Sequence, residues 1–268
     1  MGLFSRNWNK PGPGVRKDEP RKKGTARFFE LFFRDFWDLV KINILFSIVA
    51  APSVIVFALG ILGFFGGFSG ISLILALVLA FPIGGALVAY VFYITKMMRD
   101  DPSYVWYEFK RKFIENYKQA ALSGIICTAF IYAQILLWGA LLLGDTGTDL
   151  LWVLLALISL IIFGMITPYI FLHFAYIELK TASAIKNSIL MSFGFLPRSF
   201  MGAVAGGLIW AAFFLLFPAS LVSVPLIILI GISLSILLTL MWIWKPFDEH
   251  FKVEEKLIAR QKEETEEE

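Results

Sequence analysis

The chain alternates between long runs with no charge and shorter stretches where charged and aromatic residues mix. No Asp, Glu, Lys or Arg lies between Ile42 and Thr95, or between Ser199 and Trp244. Between Gln119 and Ile177, only Asp145 and Asp149 interrupt the apolar run. A helix needs about 20 residues to cross about 30 Å of hydrocarbon, so apolar runs beyond about 18 residues read as membrane spans. Turn residues divide these runs into six predicted spans, at 42–65, 71–95, 119–143, 150–177, 201–221 and 224–246. The last two are separated only by Pro218, Ser220, Ser223 and Pro225. The pattern predicts an all-α membrane protein with six transmembrane helices.

The mixed stretches carry a helical period of their own. Arg27, Glu30, Arg34, Asp38 and Lys41 recur on one side of 25–41, while Phe28, Phe29, Phe32, Phe33, Phe36 and Trp37 fill the rest. That predicts an amphipathic helix in the membrane interface. In 103–118, Trp106, Phe109, Phe113 and Tyr117 share a face opposite Glu108, Arg111, Lys112, Glu115 and Lys118. This segment is expected to lie flat on the membrane, with Trp106, Phe109 and Phe113 as interfacial anchors alongside Trp37, and with i,i+4 pairs Glu108–Lys112 and Arg111–Glu115. A weaker amphipathic pattern covers 181–196 and ends at Gly194 and Pro197. The order suggests a unit of interfacial helix plus hairpin used three times, over 25–95, 103–177 and 181–246.

Charge changes the picture by fixing orientation. The N-terminal region to Lys41 holds ten Lys and Arg, 96–118 six, 178–200 three and 245–268 five, which accounts for all 24. The opposite connections, 66–70, 144–149 and 221–224, hold none. Such segregation places both termini in the cytoplasm by the positive-inside rule. The basic residues flank spans, so the net charge of +3 points to the lipid bilayer as partner and not to nucleic acid. Residues 1–24, with Pro11-Gly12-Pro13-Gly14, read as a disordered basic tail, 25–247 as the membrane domain and 248–268 as an acidic cytoplasmic tail.

Composition closes off most chemistry. Cys127 is the only cysteine, so neither an intramolecular disulfide nor a cysteine metal cluster can form, and no cofactor is expected. The spans contain no Asp or Glu, which removes an aspartyl intramembrane protease and weakens carboxylate-coupled transport. Gly67-Phe68-Ser69-Gly70 matches the GxSG pattern of rhomboid proteases, but His173 lies near the opposite membrane face, too far to activate Ser69. No enzyme activity is expected. Asn43, Gln134 and His173 are the candidate intramembrane polar contacts, with helix–helix hydrogen bonding their commoner role. Gly202, Gly206 and Gly207 suit close helix packing, and Pro52, Pro82, Pro168 and Pro218 are candidate kinks.

One set of residues resembles a known family. Phe81-Pro82-Ile83-Gly84-Gly85-Ala86-Leu87 leads through Tyr93 and Lys96 into Asp100-Asp101-Pro102-Ser103-Tyr104-Val105-Trp106-Tyr107-Glu108-Phe109. Phe113, Asn116, Lys118-Gln119-Ala120, Gly124, Ala182 and Lys186-Asn187-Ser188 follow. This resembles the YesL-like family of small bacterial membrane proteins, whose function is not established. The resemblance implies a carbohydrate-uptake or envelope context and carries no active-site residues. The expected role is a non-catalytic accessory or assembly factor for a sugar permease or other membrane complex, the alternative a small-molecule transporter or channel subunit.

Overall fold

The computed structural model describes residues 22–63, 70–101, 103–143, 150–177, 179–216 and 224–267. Every regular element among them is helical. A short helix α1 (Gly24–Arg34) precedes α2 (Phe36–Ile61), α3 (Gly70–Leu79) and α4 (Ile83–Met98). Next come α5 (Val105–Asn116), α6 (Ala121–Leu143) and α7 (Leu150–Tyr176). The series closes with α8 (Thr181–Gly194), α9 (Leu196–Leu216), α10 (Val224–Phe251) and α11 (Val253–Glu267). Five helices, α2, α6, α7, α9 and α10, are each long and apolar enough to cross a membrane. The α3–α4 pair makes a sixth span, bent by 46° at 80–82. The protein is therefore an all-α multi-pass membrane protein. Short helix followed by packed long pair occurs three times, as α1 with α2–α4, α5 with α6–α7, and α8 with α9–α10.

The predicted boundaries shift where side chains compete with the helical ladder. Residues 25–41 are not one helix: α1 stops at Asp35, whose φ of −109° and ψ of 21° leave the helical region. Asp35 O then accepts the amides of Asp38 and Leu39, so 36–41 become the first turns of α2. Pro82 breaks the second span, because proline offers no amide to the turn before it. Pro52 and Pro168 sit inside continuous helices. Pro197 falls in the first turn of α9, where a missing amide costs nothing, so that span begins at Leu196 rather than 201. Pro218, Ser69, the basic tail to 21 and the 144–149 and 221–223 connections lie outside the described residues.

Burial is concentrated toward one end. The helix α4 forms the axis, packed by α2, α5, α6, α7 and α10, and Tyr90, Ala86, Val88, Ala89 and Ile94 on it are fully buried. The main core gathers around it, with Leu39, Ile42, Tyr169, Phe171, Leu237, Leu240 and Phe247. Toward the other end, the described residues form a smaller cluster of Phe57, Ala76 and Tyr132. There Leu62, Ile71, Leu142, Leu150 and Leu215 are exposed, as suits side chains that face hydrocarbon. The close crossing of α4 and α6 depends on glycine. A methyl on Gly84 would overlap the Ala120 carbonyl, and one on Gly124 would overlap the Gly84 backbone. Gly202 and Gly206 let α9 approach Thr239 and Ser235 of α10, whereas Gly207 faces open space.

Candidate functional site

Asn43 of α2, one of the residues singled out from sequence, is fully buried at the centre of a polar node. Its Nδ2 donates to the carbonyls of Ile227 (2.9 Å) and Ile228 (2.6 Å) on α10. Its Oδ1 accepts the Ser233 amide at 2.9 Å. The Tyr90 hydroxyl of α4 lies 2.6 Å from Asn43 Oδ1 and 2.7 Å from Ser233 Oγ, so one proton serves two acceptors. Ser233 Oγ donates to Leu39 O at 2.6 Å.

The node explains a local irregularity. Residues Ile227–Gly231 are wound as a π turn within α10. In a regular α-helix the Ser233 amide would bond four residues back. Here the Asn43 carboxamide takes that amide and serves two carbonyls where the winding widens. Side-chain insertion of this kind is a known cause of helix distortion, and π turns recur at functional sites. Phe46 stacks on Tyr90 at 5.4 Å and closes the node from the α2 side. Chemically it is a neutral clamp joining α2, α4 and α10, built from one carboxamide, two hydroxyls and backbone groups.

The other predicted polar residues do not join it. Gln134 of α6 donates to Ser159 Oγ of α7 at 2.8 Å, while its Oε1 has no partner in the protein. His173 of α7 is fully buried. Its Nδ1 lies 2.7 Å from Tyr169 O and 3.1 Å from Ser188 Oγ of α8. A carbonyl can only accept, so Nδ1 carries a proton. Nε2 is buried without a partner, among the edges of Phe247 and Phe251 at ring distances of 5.3 and 5.2 Å. His173 thus holds α7 to α8 and α10. A second small node joins Ser53 of α2 to Ala76 O of α3 and Tyr132 OH of α6, each at 2.7 Å.

The charged groups collect where α1, the end of α4 and α5 meet. Asp100 adopts a left-handed conformation with φ of 61°. Its amide bonds Met97 O and the Asp101 amide bonds Lys96 O, the pattern that glycine usually supplies at a helix end. The reason for aspartate lies in its carboxylate, which meets Arg27 at 2.7 Å and Arg34 at 2.5 Å and so latches α1 to α4. Burial alone would raise the Asp100 carboxyl; the hydrogen bonds and charges of Arg27 and Arg34 outweigh that and hold it below the usual carboxylate range. Glu108 is 5% exposed and bonded to Lys96 at 2.7 Å and Arg111 at 2.5 Å. Burial pushes its carboxyl up, and the bonds to Lys96 and Arg111 pull it down further. Lys112 lies 4.9 Å from the Phe92 ring, and Arg99 sits over Tyr176 and Trp244.

This arrangement corrects the expected face of α5. Phe109, read as an interfacial anchor, is 5% exposed and packs in the core, and Phe113 is half-buried against it. The buried face of α5 runs through Val105, Glu108, Phe109 and Asn116, between the two predicted faces, so Glu108 reaches Lys96 of α4 while Arg111, Glu115 and Lys118 stay exposed. The pairs on α5 are therefore Glu108–Arg111 and Lys112–Glu115, not the i,i+4 pairs. Trp106 and Trp37 remain exposed, at 64% and 71%. Sequence reasoning did not single out Tyr90 or Ser233, because Tyr and Ser are ordinary in spans. Asp100 entered it only through the family resemblance, and Glu108 through that resemblance and as a partner for Lys112.

No protein-family model, no curated protein and no solved structure matches this chain.

Proposed function

We propose that this protein is a non-catalytic accessory or assembly factor of the bacterial cytoplasmic membrane, supporting a carbohydrate importer or similar complex. One observation carries the reading. Among the described residues the charged groups gather at a single end of the bundle, around Arg34, Asp100 and Arg111, with Trp37 and Trp106 exposed beside them, while the runs Ile42–Thr95 and Ser199–Trp244 carry no charge with which to bind or couple an ion. A partner could read that end; a driven solute would find little to bind inside. The distribution of Lys and Arg supports a cytoplasmic location for this end and for both termini. The carbohydrate context rests on the YesL-like resemblance. Deleting the gene should slow growth or uptake on one class of glycan and leave growth on glucose intact. A permease should co-purify from native membranes, and the protein alone in vesicles should move no sugar.

The alternative, a small transporter or channel subunit, draws on the 46° break in the second span and the π turn of α10. Interrupted spans line substrate sites in many transporters. Solute flux through the isolated protein in vesicles would favour it and defeat the accessory reading.

A further inference from the structure

A groove opens on the outer face of the bundle between α6 and α7 and reaches Ile185 of α8, with a volume of about 360 Å³. That is within the range of sites that hold small molecules, about 300–1,000 Å³. It runs along α7 from Ser159 to Ile170. At 1.5 Å per residue this is about 16 Å, roughly half of the hydrocarbon thickness and so the depth of one leaflet. Its rim residues Ile126 and Ile162 are 50% and 41% exposed, and they face the bilayer.

The groove has a polar end and an apolar end. Two of its hydroxyls are spoken for: Ser159 donates to Ala156 O and Thr167 bonds the Cys127 thiol. Phe130 and Phe163 stack at 4.1 Å and wall off the Ser159 end. At the other end Ser123, 1% exposed, lines the groove and its Oγ has no hydrogen-bond partner in the protein. A buried hydroxyl without a partner is costly, and a ligand acceptor would relieve it. An adjoining depression shares Ile185 and is lined by the exposed Lys186. The helix α8 carries Lys186 and no carboxylate. Past Ser123 the starts of α6 and α8 are tied together: Gln119 Nε2 donates to Leu179 O, and Thr181 Oγ1 donates to Gln119 O at 3.0 Å.

We propose that this groove holds one acyl chain of an anionic glycerophospholipid from the surrounding leaflet, with its ester region at the Ser123 hydroxyl and its phosphate at Lys186. A one-leaflet apolar slot ending in an unpartnered hydroxyl and a lysine matches the polarity of such an amphiphile.

Native mass spectrometry of the full chain in detergent, titrated with phosphatidylglycerol or phosphatidylcholine, tests this. One phosphatidylglycerol should bind more tightly than phosphatidylcholine. I126W and I162W, at half-open rim positions, fill the slot and should each weaken that first site about tenfold. K186E should weaken phosphatidylglycerol about fivefold and phosphatidylcholine, whose choline offsets its phosphate, by less. Circular dichroism melting checks that the variants fold, and K186E, fully on the surface, keeps the test alive if both tryptophan variants do not. Equal binding of the two lipids by the wild type, or an unaltered preference in K186E, would overturn the proposal. So would a lipid-free dimer that dissociates as phosphatidylglycerol is added.

Discussion

Replacing Asn43 by Leu should cost about 2–3 kcal/mol, almost all of it from lost hydrogen bonds. Leucine has a similar volume, so packing against Tyr90 and α10 changes little. Four partners lose their bond: the carbonyls of Ile227 and Ile228, the Ser233 amide and the Tyr90 hydroxyl. Hydrogen bonds between membrane helices average about 0.6 kcal/mol each, well below their value for a fully stranded group, because the unfolded chain in the membrane also finds partners. Four such bonds give about 2.4 kcal/mol. Tyr90→Phe removes two contacts, to Asn43 Oδ1 and Ser233 Oγ, and the Ser233 hydroxyl still reaches Leu39 O, so its cost should stay at or below about 1.2 kcal/mol. Asn43→Asp keeps the acceptor but loses the donor to two carbonyls, and should be worse than Leu. Equilibrium unfolding in mixed micelles of increasing dodecyl sulfate content measures all three. If Asn43→Leu falls within about 0.5 kcal/mol of wild type, or costs no more than Tyr90→Phe, the node is not what joins α2, α4 and α10.

The latch gives a second expectation: Asp100→Gly removes an aspartate from a left-handed site, where it costs about 1 kcal/mol, but leaves Arg27 and Arg34 only the Met98 and Met97 carbonyls across to α4. Amide exchange in 24–34 should therefore rise several-fold while global stability moves by less than about 1 kcal/mol; unchanged exchange refutes the latch. Because the Asp100 and Glu108 carboxyls are held low when folded, their contribution is complete above the ordinary carboxylate range and is lost as pH falls through and below it. Exchange in α1, corrected for its intrinsic pH dependence, should reveal that loss in wild type and not in Asp100→Asn. At the α4–α6 crossing, Gly124→Ala should destabilise by at least about 3 kcal/mol or abolish folded protein, whereas Gly207→Ala should be neutral, judged by monodisperse yield in detergent. For orientation, in a Cys127→Ala background Gly147→Cys should react with an impermeant thiol reagent on intact cells and Lys252→Cys only after lysis; labelling of Lys252→Cys in intact cells would reverse the topology.

The spans were legible because a bilayer demands long uncharged runs, and Ile42–Thr95 or Ser199–Trp244 admit few other readings. Their ends were less so. Asp35, Pro82 and Pro197 shift boundaries by competing for single backbone bonds, which periodicity does not record. Asn43 stood out because an amide is rare in a span, yet nothing in the sequence pairs it with Ser233, 190 residues away. The face of α5 was misjudged for a related reason. Amphipathicity sets Phe109 and Glu108 on different faces, but the buried face falls between them and takes in both. Lys96, whose charge at the end of α4 draws Glu108 inward, is not visible in the period of α5. Gly84, Gly85 and Gly124, which carry much of the YesL-like resemblance, turn out to be the contact points of α4 with α6 and with Tyr117.

The π turn of α10 has a meaning in terms of chain length. A single wide turn holds about one residue more than the same rise of α-helix, so the helix contains a one-residue surplus within Ile227–Gly231. That surplus rotates everything beyond it by about 100° relative to an uninterrupted helix. Ser233, Leu237, Leu240 and Trp244 point into the bundle only because the extra residue precedes them. The helix thus carries an internal phase correction, and Asn43, a residue of another span, holds it in register.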